Sequence, residues 1–223
     1  MFLPIPKVLK EADVKLIRER LEKTEFADGA ATAGRQARRV KQNEQVPRGS
    51  PAAKELGKIV MDALRNNAAF ISAALPCRIT EPMFNRYMPG MSYGTHVDNA
   101  MMYQPHPVRS DISVTVFLSN PSEYDGGELL VDDVAIRQKV KLAAGGALLY
   151  PATSLHRVEP VTRGTRLAVI LWVQSLVRDP AQRRILFDLD RATQLCTKRD
   201  PDSPEVPLLS ASYHNLLRQW AEA

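Results

Sequence analysis

The sequence is poor in the residues that most often indicate a specific chemistry. It has two cysteines, Cys77 and Cys196, and no CxxC pair, which excludes a disulfide framework and a cysteine-based zinc site. Aromatic residues make up only 6% of the chain, too few to indicate stacking platforms for nucleic acid. No apolar run is long enough to cross a bilayer, and the first residues lack the pattern of a secretory signal. We therefore expect a cytoplasmic protein with no membrane partner.

The chain carries a modest excess of positive charge, with a formal net charge of +5 and a pI near 9.3. Its densest basic run, RQARRVK at residues 35–41, contains no aromatic side chain that could stack on a base. We expect no nucleic-acid partner and interpret the basic residues as a solvated surface or an attractor for small anions.

The spacing of apolar residues predicts helices at both ends of the chain. Residues 10–26 and 51–75 show helical spacing, and Ser50-Pro51 is typical of a helix start. Residues 181–195 and 209–220 predict two further amphipathic helices, separated by the proline-rich DPDSPEVP.

From about residue 79 the chain changes to short segments of strand-forming residues, divided by turn residues such as DGGE at 125–128. The predicted strands are 83–87, 112–118, 128–131, 139–142, 147–150 and 167–173. Because no helix-length gaps separate them, we predict a mostly β core built as an antiparallel sandwich or barrel. This core, about 79–178, belongs to a domain of residues 1–178, and residues 179–223 form a C-terminal helical extension.

One of the four histidines lies in the stretch His96-Val97-Asp98. Residues two apart in an extended chain project from the same face, so both side chains could bind one metal ion. A buried histidine beside a surface aspartate is the alternative, since an HxD pattern also arises by chance. A metal site requires a third ligand, and His156 is the candidate.

The segment after His156 predicts a hairpin. Residues 161–164 (VTRG) read as its turn, centred near Val161, which places Arg166 directly opposite His156. Opposed residues of an antiparallel pair share a face. The nearly continuous apolar run after Arg166 favours a buried position for this arginine over an exposed one.

Two histidines and one carboxylate leave three octahedral positions open, as in non-haem Fe(II) oxygenases. An arginine beside such a metal suits a carboxylate, because its guanidinium can bind both carboxylate oxygens at once. The combination of His96, Asp98, His156 and Arg166 therefore predicts Fe(II) together with 2-oxoglutarate.

The stretches that carry these residues resemble the PKHD-type hydroxylases, which are prolyl-4-hydroxylase-like Fe(II)/2-oxoglutarate-dependent dioxygenases. The similarity runs through VKQNEQV, NRYMPGMSYGTHVDNA, RSDISVTVFLSNPSEYDGGEL, LYPATSLHRVEPVTRGTRLAVILWVQSLVRD and the helical tail. It implies a double-stranded β-helix (jelly roll) with iron on His96, Asp98 and His156. It further implies that Arg166 and Tyr87 bind 2-oxoglutarate, that O2 is the second cosubstrate, and that L-ascorbate assists.

The resemblance implies hydroxylation of an unactivated C–H bond, with succinate and CO2 as co-products. The substrate stays open between peptidyl proline and a small molecule. One alternative is a nucleic-acid demethylase of the same mechanism, which would need a basic groove with stacking aromatics. The other is a non-oxygenase, cupin-like metal-binding protein, which would not need Arg166.

The sequence leaves two interpretations open for several other features. Asn85 either lines the pocket or makes a structural hydrogen bond. Residues 99–110 form either a substrate lid or a connector, and His106 within them is interpreted as a substrate or surface residue rather than a ligand. His214 is interpreted as structural. The apolar faces after Asp179 predict a homodimer contact, with a monomer capped by its own helices as the alternative.

Overall fold

The computed structural model describes residues 1–32, 34, 37–103, 106–132 and 137–222. Within these ranges, antiparallel strands form two large sheets, and helices flank them at both ends of the chain. This arrangement confirms the predicted mostly β core with N-terminal and C-terminal helices. None of the helices in the described ranges is long and apolar enough to span a membrane.

Five α-helices occur in the described part of the chain. They are α1 (Glu11–Glu22), α2 (Pro51–Arg65), α3 (Ala68–Ala74), α4 (Pro180–Arg199) and α5 (Glu205–Trp220). The prediction of one helix over residues 51–75 is wrong, because two asparagines divide it. Asn66 ends α2, and the Asn67 side chain caps α3 by accepting a hydrogen bond from the backbone N–H of Phe70.

The main sheet has eight strands and contains the longest strand of the structure. In spatial order its strands are β1 (Leu3–Ile5), β14 (Ala147–Pro151), β10 (Ile112–Phe117), β17 (Arg166–Ser175), β6 (Met83–Tyr87), β4 (Glu44–Gln45) and β2 (Ala27–Asp28), with β5 (Pro76–Ile79) beside the last residues of β17. β10 and β17 are central, and most of their residues are buried.

The second sheet has five strands and carries two of the histidines discussed above. In spatial order they are β13 (Arg137–Val140), β12 (Leu129–Asp132), β15 (Leu155–Val158), β7 (Ser92–His96) and β3 (Lys41–Gln42). Two further strand pairs are β8 (Met101–Met102) with β9 (Val108–Arg109), and β11 (Tyr124–Gly126) with β16 (Val161–Gly164).

Two apolar clusters hold this arrangement together. The larger one joins the main sheet to α1, α2 and α3 through residues such as Ile17, Leu56, Phe70 and Val114. The smaller one joins the two sheets and includes Tyr87 and Phe117 from one sheet and Leu129 from the other. The two sheets therefore face each other as the layers of a double-stranded β-helix, and the space between them holds the residues predicted to be functional.

The predicted hairpin between His156 and Arg166 is wrong. His156 pairs with His96 on β7 and with Val131 on β12, whereas Arg166 pairs with Tyr87 in the other sheet. Residues 161–164 are not a turn but the strand β16, which pairs with β11. The turn residues at 125–128 do not form a hairpin either, since β11 and β12 do not pair with each other.

Gly164 ends β16 with a φ of +72°, a conformation that a residue with a Cβ adopts only with strain. A Cβ at this position would also collide with the carbonyl oxygen of Glu123. The chain leaves the β11–β16 pair here and enters the main sheet at Arg166.

The C-terminal helices α4 and α5 pack beside α3. Leu75, Val177 and Leu186 form a small buried cluster, and Tyr213 and Trp220 of α5 pack against it. No residue of α5 in the described chain is fully buried, so this helix is a surface helix with one half-buried face.

Candidate active site

His96, Asp98 and His156 converge between the two sheets. His96 is the last residue of β7, Asp98 follows two residues later, and His156 lies opposite His96 on the neighbouring strand β15. One ligand atom from each side chain lies within 4.8 Å of the others. The Nε2 atom of His156 is 3.7 Å from Oδ1 of Asp98. The fold thus brings together the three side chains that the sequence analysis named as candidate metal ligands.

Each of these side chains is oriented by a contact on its far side. The Nδ1 atom of His96 is 2.8 Å from the carbonyl oxygen of Gly94, and Nδ1 of His156 is 3.0 Å from that of Ser154. A carbonyl oxygen only accepts, so Nδ1 carries the proton in both rings and Nε2 keeps a free lone pair. The Ser113 hydroxyl donates to Oδ2 of Asp98.

The electrostatics of the site favour neutral imidazole. Burial and, to a smaller extent, the neighbouring His156 together lower the pKa of His96 to about 4. Metals bind the neutral form of histidine. Two imidazoles and a carboxylate within reach of one ion are the ligand set of a non-haem Fe(II) site, so the donor chemistry fits this metal.

Arg166 is buried in the same cavity without an anion. Only 1% of its surface is exposed, and none of its three guanidinium nitrogens makes a hydrogen bond of acceptable geometry to any described residue. Aromatic rings surround it, with the Tyr87 ring centre 5.1 Å and the Phe117 ring centre 5.6 Å from its Cζ. A buried, unpaired guanidinium is costly, so this position is suited to a negatively charged ligand.

Tyr87 lies directly opposite Arg166 on β6. Burial raises the pKa of its hydroxyl, and Arg166 partly offsets that effect. The phenol therefore stays protonated and can donate a hydrogen bond to the same anion. Asn85, on the same strand, also lines the cavity, but its side-chain oxygen already accepts hydrogen bonds from Asn43 and Gln45. Both interpretations of Asn85 therefore hold.

The cavity that contains these residues comprises about 730 Å³ of empty space, which includes the open solvent at its mouth. His96, Asp98, His156, Arg166 and Tyr87 all line it.

Of the predicted lid, Asn99 and Met102 line the cavity, while residues 104–105 lie outside the described residues. His106 and His214 are exposed and lie away from the cavity.

The sequence analysis did not predict a function for Ser113, which contacts Asp98, or for the cavity residues Lys41, Arg48 and Trp172. A signal for Ser113 was present, since Ser113 and Thr115 alternate with apolar residues in the central strand β10. Two polar side chains two residues apart on a buried strand share a face, which indicates a polar cavity on that side. The other three come from separate elements, and no local pattern connects them.

The comparisons with known proteins agree with this geometry. The model of the 2OG-Fe(II) oxygenase superfamily matches residues 82–174, and that of the PKHD-type hydroxylase C-terminal domain matches residues 180–222. A PKHD-type hydroxylase of Xanthomonas campestris pv. campestris is 51% identical over 227 residues, and one of Hyphomonas neptunium is 54% identical over 226 residues. Both alignments cover 100% of this chain and of the relative.

Among solved structures, a Pseudomonas putida prolyl-4-hydroxylase is similar with a TM-score of 0.55 at 18% identity, over 78% of this chain and 92% of that chain. This likeness supports the jelly-roll fold. Half of all residues are shared with the curated relatives along the whole chain. The protein therefore belongs to the PKHD-type hydroxylases, a family of 2-oxoglutarate-dependent Fe(II) oxygenases.

Proposed function

We propose that His96, Asp98 and His156 bind Fe(II), and that Arg166 and Tyr87 bind the distal carboxylate of 2-oxoglutarate. The observation that carries this proposal is the presence of two incomplete sites in one cavity: three convergent ligand atoms and a buried guanidinium without an anion. 2-Oxoglutarate has one group for each of them. Its keto acid can chelate a metal, and its second carboxylate can pair with an arginine.

Bound Fe(II) and 2-oxoglutarate supply the O2 chemistry that hydroxylates an unactivated C–H bond, with succinate and CO2 as co-products. The side chains bind and orient. The carbonyls of Gly94 and Ser154 keep both imidazoles in the ligating tautomer, and Ser113 holds the Asp98 carboxylate. Arg166 fixes the far end of the cosubstrate, and the aromatic rings around it exclude water. This reaction needs no side chain as a general base.

The substrate is a C–H bond of peptidyl proline or of a small molecule. The similarity to a prolyl-4-hydroxylase supports the first, and the position of the proposed ligands inside a cavity rather than on an open surface supports the second. Membership of the hydroxylase family favours this reaction over the nucleic-acid demethylase and over a non-oxygenase cupin.

Four further features belong to the same proposal. Ascorbate sustains turnover by keeping the iron ferrous, and the protein acts in the cytoplasm. Residues 1–178 form the dioxygenase domain, to which residues 179–223 add a helical extension. α4 and α5 also form a homodimer contact, which the exposed side chains of Leu195 and Leu208 support.

The test is the release of succinate from 2-oxoglutarate by purified, Fe(II)-loaded protein in air, without an added substrate. We expect slow turnover that Asp98→Ala abolishes. Asp188→Ala, which removes an exposed carboxylate on α4, should leave it unchanged. No turnover by the wild-type protein would contradict the oxygenase assignment, and turnover by Asp98→Ala would contradict the ligand assignment. Metabolite and peptide profiling of a deletion strain against its parent then identifies the substrate.

A further inference from the structure

The cavity extends past the space that 2-oxoglutarate needs. Arg166 and Trp172 both line it and are six residues apart on β17, which corresponds to about 20 Å along a strand. 2-Oxoglutarate spans only about 5 Å between its carboxyl carbons, from four bonds of about 1.5 Å. Ser113, which holds Asp98, is the register partner of Trp172. The proposed metal ligands therefore lie toward the end of the cavity that contains Trp172. The cavity wall at that end is not needed for 2-oxoglutarate and is available to the substrate.

Lys41 is a buried cation in this wall. It is 7% exposed and lies on β3, opposite Tyr93 of β7. Its Nζ donates to the Thr32 hydroxyl at 3.1 Å and lies 5.3 Å from the centre of the Tyr93 ring, which stacks on His96. No carboxylate of the described chain lies within ion-pair distance of this ammonium. Lys41 is thus one aromatic ring away from a proposed metal ligand, with its charge unpaired.

Arg48 is a second unpaired cation of the same wall, at the mouth of the cavity. Its guanidinium contacts the Met83 sulfur, with Nη2 at 2.7 Å, and sulfur is a weak acceptor. Other arginines of the described chain bind carboxylates, as Arg86 does with Glu44. Arg48 has no such partner within the described ranges, so its capacity to bind an anion is unused.

Trp172 adds a donor without a partner. Its side chain is 7% exposed, and its buried Nε1 makes no hydrogen bond within the described residues. It packs with Met83 and Met102, which also line the cavity. The wall therefore combines an apolar surface, two unpaired cations and one free N–H donor, and a buried donor of this kind normally has an acceptor.

We propose that the substrate carries an oxyanion, a carboxylate or a phosphate, which pairs with Arg48 and Lys41 while its apolar part lies against Trp172 and Met83. This inference rests on the proposed function, because the anion would orient a substrate C–H bond toward the metal. Arg166 remains reserved for 2-oxoglutarate. Neutral substrates of the same shape bind more weakly, because they leave both cations without a counter-charge.

The test is a titration followed by NMR on the full chain, loaded with Zn(II) in place of Fe(II) and saturated with 2-oxoglutarate. The chain has two tryptophans, so the Trp220→Phe variant assigns the indole N–H signal of Trp172. The probes are matched pairs that differ in charge: N-acetylproline and its amide, indole-3-acetate and its amide, and phenyl phosphate and phenol. At least one charged probe is expected to shift the Trp172 signal saturably and to bind at least tenfold more tightly than its neutral partner.

Arg48→Gln and Lys41→Gln should each weaken that charged probe at least tenfold. Lys58→Gln, which removes an exposed cation of α2, should not change the affinity. An unchanged Trp220 signal in each variant shows that the fold is intact. The proposal is overturned by neutral probes that bind as tightly as charged ones, by wild-type affinity in both Gln variants, or by no charged probe that moves the Trp172 signal. Failure of the wild-type protein to bind 2-oxoglutarate would instead count against the proposed function.

Discussion

Replacing Arg166 with alanine tests the cosubstrate site, since it removes the only group proposed to neutralise the distal carboxylate of 2-oxoglutarate. Arg166 is 1% exposed and lies beside the rings of Tyr87 and Phe117, so a carboxylate bound there would be desolvated. Removing one partner of a buried ion pair costs about 3–5 kcal/mol. The expected loss of affinity is therefore roughly a hundred- to a few-thousand-fold.

The same variant should keep its iron, because none of the three proposed ligands is changed. Arg166→Lys should recover only part of the affinity, since an ammonium keeps the charge but cannot bind both carboxylate oxygens. 2-Oxoglutarate should raise the unfolding temperature of the wild-type protein and have much less effect on Arg166→Ala, because stabilisation by a ligand follows its affinity.

The assay is an anaerobic titration of 2-oxoglutarate into Fe(II)-loaded protein, followed by the weak visible charge-transfer band of the complex. Arg163→Ala is the matched control, because Arg163 is an exposed arginine three residues earlier that pairs with Asp125 at the surface. A dissociation constant close to that of the wild type for Arg166→Ala would refute the reasoning.

Another cation would then bind the cosubstrate, and the structure indicates which cations could do so. Arg109 and Arg157 are paired with Asp111 and Glu159 and do not line the cavity. Lys41 lines it and has no carboxylate within ion-pair distance among the described residues, so it would be the first residue to test.

Three further outcomes follow from individual contacts. Ser113→Ala should lower Fe(II) affinity about 10- to 100-fold, measured by competition with a chelator, because Ser113 orients the Asp98 carboxylate. Burial, reinforced by the nearby Arg48, lowers the pKa of Lys41 to about 8. Lys41 therefore loses its charge above that pH, and the wild-type protein should bind charged probes more weakly as the pH rises from about 7 to about 9. Lys41→Gln should not show this pH dependence. Light scattering should show a dimer for the full chain and a monomer for a truncation after Asp179, and a full-length monomer at micromolar concentration would contradict the proposed contact.

Much of the fold was readable from the sequence because its signals are local. The segments 83–87, 112–118 and 147–150 are short and mostly apolar or aromatic, and each is a strand in the structure. Asp179 and Pro180 mark the start of α4, as capping rules require. The break between α2 and α3 was missed because the capping role of Asn67 is visible only once the next turn is known to be helical.

Strand pairing was not readable, because it depends on contacts between distant parts of the chain. The VTRG segment looks like a turn, yet it pairs with residues 124–126, more than thirty positions earlier in the chain. Arg166 was correctly predicted to lie in the pocket, but the hairpin from which this was inferred does not exist. Arg166 faces the cavity from the main sheet, across from His156 in the second sheet, and not beside it on one hairpin.

The residues proposed to bind the substrate were not predicted either, because they come together only through contacts between distant parts of the chain. Lys41, Arg48 and Trp172 come from β3, the segment after β4, and β17, and each has an ordinary sequence context. Their shared feature is that none of them has an anionic partner among the described residues, which no sequence pattern records.

The most direct test of the central claim is iron binding by His156→Ala. Wild-type protein under anaerobic conditions should bind one Fe(II) and develop the charge-transfer band when 2-oxoglutarate is added. His156→Ala should lose the band and stoichiometric iron, while His214→Ala, which removes an exposed histidine of α5, should keep both. Retention of the band and of one equivalent of iron by His156→Ala would contradict the assignment of His96, Asp98 and His156 as the metal site.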